Sequence, residues 1–208
     1  MELILATTNP GKILEIRKVL EGLPITLYSL SDFPNPPEVI EDQNSFEGNA
    51  LKKARMICRW QGLPALADDS GLVVPALGGQ PGIHSARYAG NNANENANEN
   101  TNDEDNRKKL LKEMEEFPES QRQASFVCVL ALVWPDGRQV VTSGECHGVI
   151  TREERGTSGF GYDPLFLIPR LNKTTAEISL EEKNQISHRG EALRKLREVL
   201  LGDSMRKK

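Results

Sequence analysis

The segment ASFVCVLALVW at 124–134 constrains the fold most. It is the longest apolar run in the chain, it falls short of the roughly 18 residues of a membrane span, and it suits a central strand of a sheet. Pro135-Asp136-Gly137 then turns the chain, because proline fixes φ and aspartate and glycine tolerate the bend. Residues 138–149 return as a partner strand.

The rest of the chain reads around that strand. Residues 2–7 are a short apolar run ending at Asn9-Pro10-Gly11, and a helical pattern follows. Ile13, Ile16 and Leu20 share one face, with Glu15, Arg17 and Lys18 on others. Strand, tight turn and helix open an α/β domain. Residues 25–30 form a second strand, and the Pro- and Asp-rich stretch 31–44 a loop. Ser45 starts a helix whose buried stripe is Phe46, Ala50, Leu51, Ala54, Ile57 and Cys58. Pro64 to Ala67 reads as a brief strand running into Asp68-Asp69-Ser70-Gly71. The low-complexity stretch 91–106, with two copies of NANEN, reads as a solvated Asn-rich loop leading into a helix at about 103–116. Pro164 to Ile168 is a strand, and Ser179 with Glu182 makes a capping box. A last helix follows Gly190, and the tail from Met205 frays. One domain over 1–208 with one central sheet accounts for all of this.

Composition narrows the function. The chain has 208 residues, 38% of them hydrophobic, which is ordinary for a soluble globular protein. Lysine and arginine number 26 against 30 acids, a net charge of −4, so a broad nucleic-acid footprint is not expected. A few local cations still suffice for a small anion. Three scattered cysteines without a CxxC pair argue against a disulfide scaffold or zinc knuckle and for a reducing, cytoplasmic setting.

Several short segments carry chemistry. Thr7-Thr8-Asn9-Pro10-Gly11-Lys12 leaves a strand and enters a helix, where free N–H groups, neutral donors and a cation could cradle a phosphate. It lacks the P-loop pattern, and the same residue types make an ordinary strand–helix turn. Asp68 and Asp69 follow a buried strand, and adjacent positions send them to opposite sides, so one can bind Mg²⁺ or take a proton while the other orients a neighbour. Asp-Ser-Gly is equally common in caps and turns. Glu41, with Asp69, could complete a hard-cation site, and Lys53 lies on the following helix. Phe160, Gly161, Tyr162 and Asp163 set aromatics among glycines, as a flat ligand requires, or simply as a strand-leading loop does. Lys183, His188 and Arg189 offer donors near a helix junction.

Together these segments resemble the inosine triphosphate pyrophosphatase family: ATTNPGK at 6–12, SFEGNALKKAR at 45–55, LADDSGL at 66–72, PGIHSARYAG at 81–90, GFGYDP at 159–164 and ISHRG at 186–190, in order. The resemblance implies a long mixed sheet flanked by helices, with two lobes around an active-site cleft, and a homodimer. It implies Mg²⁺-dependent hydrolysis of ITP, dITP and XTP to the monophosphate and pyrophosphate. Asp69 falls on the family's general base and metal-associated acid, and Glu41 on a metal-binding acid. Thr7, Thr8, Asn9, Pro10, Gly11, Lys12 and Lys53 fall at the triphosphate. Ser70 falls on a substrate-binding serine, and Phe160, Gly161, Tyr162, Asp163, Lys183, His188 and Arg189 fall around the base. The chain departs from the family at Gln43, where glycine is usual, at Gly48, where glutamate is usual, and at Tyr162, where tryptophan is usual.

On this reading Asp69 activates a water at the α-phosphorus, and His188 and Arg189 donate to the carbonyl at the purine 6-position, where ATP presents an amine. The partners expected are a small nucleotide, no nucleic acid and no membrane. A pyrophosphatase for modified pyrimidines, one of broad scope, and a non-enzymatic nucleotide sensor stay open as alternatives, although a sensor has no need of Glu41, Asp68 and Asp69 together.

Overall fold

The computed structural model describes residues 1–90 and 99–205, and the side chains within them except those of 99–102 and 203–205. The opening apolar run becomes β1 (Glu2–Leu5), and the chain leaves it through Asn9 into α1 (Pro10–Leu20). Two signals start this helix. Pro10 sits where its missing N–H costs nothing, and Asn9 Oδ1 accepts the Lys12 N–H at 2.9 Å. β2 (Thr26–Ser29) and β3 (Ala65–Val73) both lie parallel to β1, with Leu3 opposite Leu27 and Leu5 opposite Leu66. Between them α2 (Phe46–Gln61) is capped by the Ser45 hydroxyl and ends at Gly62, whose φ of +66° closes the helix in the left-handed region.

The long run becomes β4 (Gln123–Val133), followed by β5 (Gln139–Ile150). The Pro135-Asp136-Gly137 turn joins them, closed by the Trp134 N–H on the Arg138 carbonyl at 2.9 Å. β6 (Phe166–Ile168) and β7 (Lys173–Thr174) add antiparallel partners. The strands form one seven-stranded mixed sheet in the order β2-β1-β3-β4-β5-β6-β7. The remaining helices are α3 (Glu99–Glu113), α4 (Leu180–Ile186) and α5 (His188–Met205).

The chain divides into two compact units: Met1–Ser70, Cys128–Gly144 and Ser187–Lys208 in the first, Gly71–Val127 and Glu145–Ile186 in the second. In the first unit strand parity sorts the core. Leu3, Leu5, Leu66, Cys128, Leu130 and Leu132 pack with Ile16 and Leu20 of α1 and Leu193, Leu196 and Leu200 of α5. Ile4, Ala6, Ala65, Ala67, Val129, Ala131 and Val133 pack with Ala50, Ala54 and Ile57 of α2. Burial on both faces explains why β4 carries almost no polar residue. In the second unit Leu110 of α3 and Met114 just after it pack with Phe126, Ile150, Tyr162 and Phe166.

Several sequence expectations are corrected here. Asp68-Asp69-Ser70-Gly71 lies inside β3, which runs unbroken from Ala65 to Val73; partners far away in sequence override the local turn preference of these residues. Glu15, placed off the apolar face of α1, is nevertheless only 1% exposed. The Asn-rich stretch is helical from residue 99, and Asn106 is buried: its Oδ1 accepts the Ala89 N–H at 2.7 Å and its Nδ2 donates to the Ala86 carbonyl. Residues 91–98 and the last three residues lie outside the described ones. α5 begins at His188, two positions ahead of Gly190. The capping box forms as expected, with Ser179 Oγ accepting the Glu182 N–H and Glu182 accepting the Ser179 N–H.

Candidate active site

The turn before α1 is built by its own side chains. Thr7 Oγ1 accepts the Asn9 N–H at 3.1 Å, and Asn9 caps the helix. No acid stands in the first turn of α1, so its N–H groups and positive end remain electrostatically open to an anion. Thr8 is exposed beside them, and Lys12 is half-buried.

β3 runs close to this turn, and its alternation separates the two aspartates. Asp68 shares the parity of Leu66 and faces α1 and α5; Asp69 shares the parity of Ala67 and faces α2. Asp68 meets two cations and two further donors. Lys12 Nζ pairs with Oδ1, while Oδ2 receives Arg189 Nε at 2.8 Å, Ser70 Oγ at 2.8 Å and Cys128 Sγ at 3.2 Å. Burial alone would push this carboxyl up, but the Arg189 guanidinium and Lys12 outweigh it and hold Asp68 well below the usual carboxylate range. Arg189 is itself 1% exposed, with Nη1 on Glu15 and Nη2 on Ser70 Oγ at 3.1 Å. Two acids and two cations thus close an internal network, which joins the phosphate-type turn to the start of α5.

Asp69 is in a different state. It is 5% exposed, and its Oδ2 accepts Asn49 Nδ2 at 3.1 Å. Burial raises its pKa first and the neighbouring Glu41 charge second; Lys53 and the Asn49 bond offset only part, leaving it at about 6. Lys53 Nζ pairs with Glu41 and donates to the Asp68 carbonyl at 3.1 Å, so one ammonium spans the loop acid and the strand. Two carboxylates that repel one another fit a divalent hard cation such as Mg²⁺, which takes one or two protein carboxylates and fills its other positions with water and phosphate. No cluster of three or more His, Cys, Asp or Glu that could hold a metal ion occurs among the described residues.

The second unit holds the other expected residues. Asp163 Oδ2 accepts Lys183 Nζ at 2.6 Å and the Phe160 N–H at 2.9 Å, and Oδ1 accepts Thr175 Oγ1 at 2.8 Å. Lys183 Nζ also stands 4.8 Å from the Phe160 ring centroid, a cation–π contact. Gly159 is required here, because a Cβ on it would meet Asp163 Oδ2 at 2.1 Å and its φ is +80°. Tyr162 does not offer a ring face: it is 4% exposed inside the core, and its hydroxyl donates to the Ser85 carbonyl at 2.9 Å. Asp163, placed around the base by the resemblance, is buried and turned onto Lys183, the Phe160 N–H and Thr175. Phe160 and Gly161 are half-buried.

His188 is buried at the start of α5, in the first unit, and Gly144 of β5 makes its position possible: a Cβ there would meet the His188 carbonyl at 2.1 Å. Arg189, expected to donate to the purine 6-carbonyl, is buried, and its guanidinium pairs with Glu15 and Asp68 inside the core. Sequence reasoning also missed Asn49 and Glu15. The signal for Asn49 is an amide beside Ala50 in an otherwise apolar stripe. The signal for Glu15 is weaker, its place one residue before Ile16.

The sequence profile of the Ham1 family matches residues 3–199. A Geobacter sulfurreducens protein named dITP/XTP pyrophosphatase is 54% identical over 198 residues, covering 95% of this chain and 96% of that protein. A Desulforamulus reducens protein of the same name is 47% identical, covering 96% of each. The solved structure of a HAM1 protein from Coxiella burnetii superposes with a TM-score of 0.84 at 41% identity, covering 97% of this chain and 99% of that one. A family match over nearly the whole length and relatives this similar leave one assignment: this chain belongs to the Ham1 family.

Proposed function

We propose that the protein hydrolyses the non-standard purine nucleoside triphosphates ITP, dITP and XTP between the α- and β-phosphates, releasing the nucleoside monophosphate and pyrophosphate. The observation that carries the reading is the state of Asp69: a nearly buried carboxyl raised to about 6, next on its strand to an aspartate that holds the phosphate-turn lysine. A group with such a pKa is largely ionised near neutral pH and still basic enough to take a proton from water. The substrate is supported by the relatives that carry the name dITP/XTP pyrophosphatase.

The chain's own residues divide the work. Thr7, Thr8, Asn9, Pro10, Gly11 and Lys12 receive the triphosphate at the start of α1, and Lys53 adds a second cation. Asp69 takes a proton from the water that attacks the α-phosphorus, and pyrophosphate departs. Mg²⁺, held by Glu41 and Asp69, supplies further neutralisation of the phosphate charge when bound. Ser70 lies between Asp68 and Arg189 and faces the same substrate. His188 donates to the 6-carbonyl of the purine, while Arg189, fixed by Asp68 and Glu15, holds the His188 turn. Phe160 gives a stacking face, Gly161 a close approach, and Lys183 a donor that Asp163 orients. A buried donor facing the amine of ATP loses its partner, at roughly 1–3 kcal/mol each. No helix among the described residues is long and apolar enough to cross a membrane. A cytoplasmic homodimer without a nucleic-acid partner belongs to the same proposal, supported by the family resemblance and the net charge of −4.

Pyrophosphate release from ITP, dITP, XTP, GTP, ATP and pyrimidine triphosphates, with Mg²⁺ and with chelator, tests the reading. Release from ITP, dITP and XTP at about 100-fold or more the rate from ATP, lost on chelation, is expected. Orthophosphate instead of pyrophosphate, or faster turnover of ATP or a pyrimidine, overturns it.

A further inference from the structure

We infer that Asn49 is a positioning residue for this hydrolysis, tying the loop that carries Glu41 to the Asp69 carboxylate through a hydrogen bond at each end of its amide. The inference rests on the reading of Glu41 and Asp69 as the reacting acids. Asn49 lies in the first turn of α2 and is 1% exposed, beside the buried Ala50. A carboxamide so buried costs free energy unless both of its ends are paired. Its Oδ1 accepts the Gln43 N–H at 3.0 Å, and its Nδ2 donates to Asp69 Oδ2 at 3.1 Å. The partners fix which way the amide points, since a backbone N–H only donates and a carboxylate only accepts. One side chain therefore sets the distance between the 41–43 loop and β3. An aspartate of the same shape keeps the acceptor for Gln43 and loses the donor for Asp69.

A second contact holds the loop from outside. A Cβ on Gly48 would stand 2.8 Å from Gln43 Cβ, so one of the two must shift, and 3.1 Å from Ser45 Oγ, which must give by a few tenths of an ångström. Gln43 fills the space that a side chain at 48 needs, so the two residues are a matched pair. Glycine inside a helix costs about 1 kcal/mol relative to alanine. Position 48 gives up that helix stability, and the loop keeps one placement against Asn49.

The test uses the full chain and measures kcat and KM with ITP, melting temperature, and hydrogen exchange of the 41–45 segment. Asn49→Asp is expected to keep Gln43 protected while kcat falls about 100-fold and KM changes little, the scale expected for misplacing a reacting group by about 1 Å. Asn49→Ala is expected to lose both protection and kcat. Gly48→Ala, a better helix former that touches neither acid, is expected to lower kcat about tenfold and speed exchange at Gln43, with Gln43→Gly in the same chain restoring most of both. It decides the matter if the Asn49 variants do not fold. Turnover within about twofold of wild type in the folded Asn49 variants, or wild-type turnover and exchange in Gly48→Ala, overturns the inference. An Asp69→Asn variant run alongside separates the failures: if it turns over normally the site reading falls, and if it is dead while the Asn49 variants are normal, only the role of Asn49 falls.

Discussion

Asp68 and Asp69 are neighbours on one strand, with the same side chain and nearly the same burial, yet their surroundings differ in kind. Asp68 meets two cations, a hydroxyl and a thiol, and is held strongly ionised. Asp69 meets one amide, a cation already paired with Glu41, and the Glu41 charge itself. Charge compensation by two cations makes a rigid anchor, because moving either one strands a buried charge. Partial compensation leaves a carboxylate whose proton affinity suits proton transfer near neutral pH. The lesson is that burial alone does not mark a catalytic acid. The balance of partners on its face of the strand does.

Substitutions on the two faces should separate by kind of effect, and the largest is chemical. Asp69→Asn is expected to lower kcat by about 10²–10⁴-fold, the usual contribution of a positioned base, with its melting temperature kept; pyrophosphate release and thermal unfolding read both. Arg189→Ala acts on the other face. It leaves Asp68 and Glu15 buried with too little counter-charge, a loss of about 3–5 kcal/mol in denaturant unfolding. Glu15→Gln keeps a polar partner for the guanidinium and is expected to cost about 1.5–3 kcal/mol in the same assay. Cys128→Ala removes the weakest donor on Asp68, so about 1 kcal/mol of stability and no change in kcat are expected. A reversed order, with Cys128→Ala harming turnover more than Arg189→Ala harms folding, would erase the distinction between the faces.

How much of this the sequence discloses depends on how local each determinant is. The strand at 124–134, the α2 stripe, the Asn9-Pro10 helix start and the Ser179–Glu182 box are written in neighbouring residues, and the structure has them at or near the expected positions. The opposite directions of the two aspartates also follow from adjacency alone. What escapes is set by distant partners. Asp68-Asp69-Ser70-Gly71 has turn chemistry, yet it lies in a strand flanked by β1 and β4, and Arg189, 121 residues away, meets Asp68 there. Glu15 looks solvated until Arg189, 174 residues on, is brought beside it. Tyr162 looks like a ligand platform until Ser85 takes its hydroxyl. Asn106 sits in a repeat whose composition suggests solvent, and only its bonds to 86 and 89 show otherwise.

The most direct test sets Asp68→Asn beside Asp69→Asn and reads pyrophosphate release from ITP per folded molecule together with the midpoint of denaturant unfolding. The account predicts a crossed pattern: Asp69→Asn folded as wild type with turnover lowered by about 10²–10⁴-fold, Asp68→Asn strongly destabilised because Arg189 and Lys12 lose their shared counter-charge. Two variants that lose stability equally, or an Asp69→Asn protein that releases pyrophosphate at the wild-type rate, would contradict it.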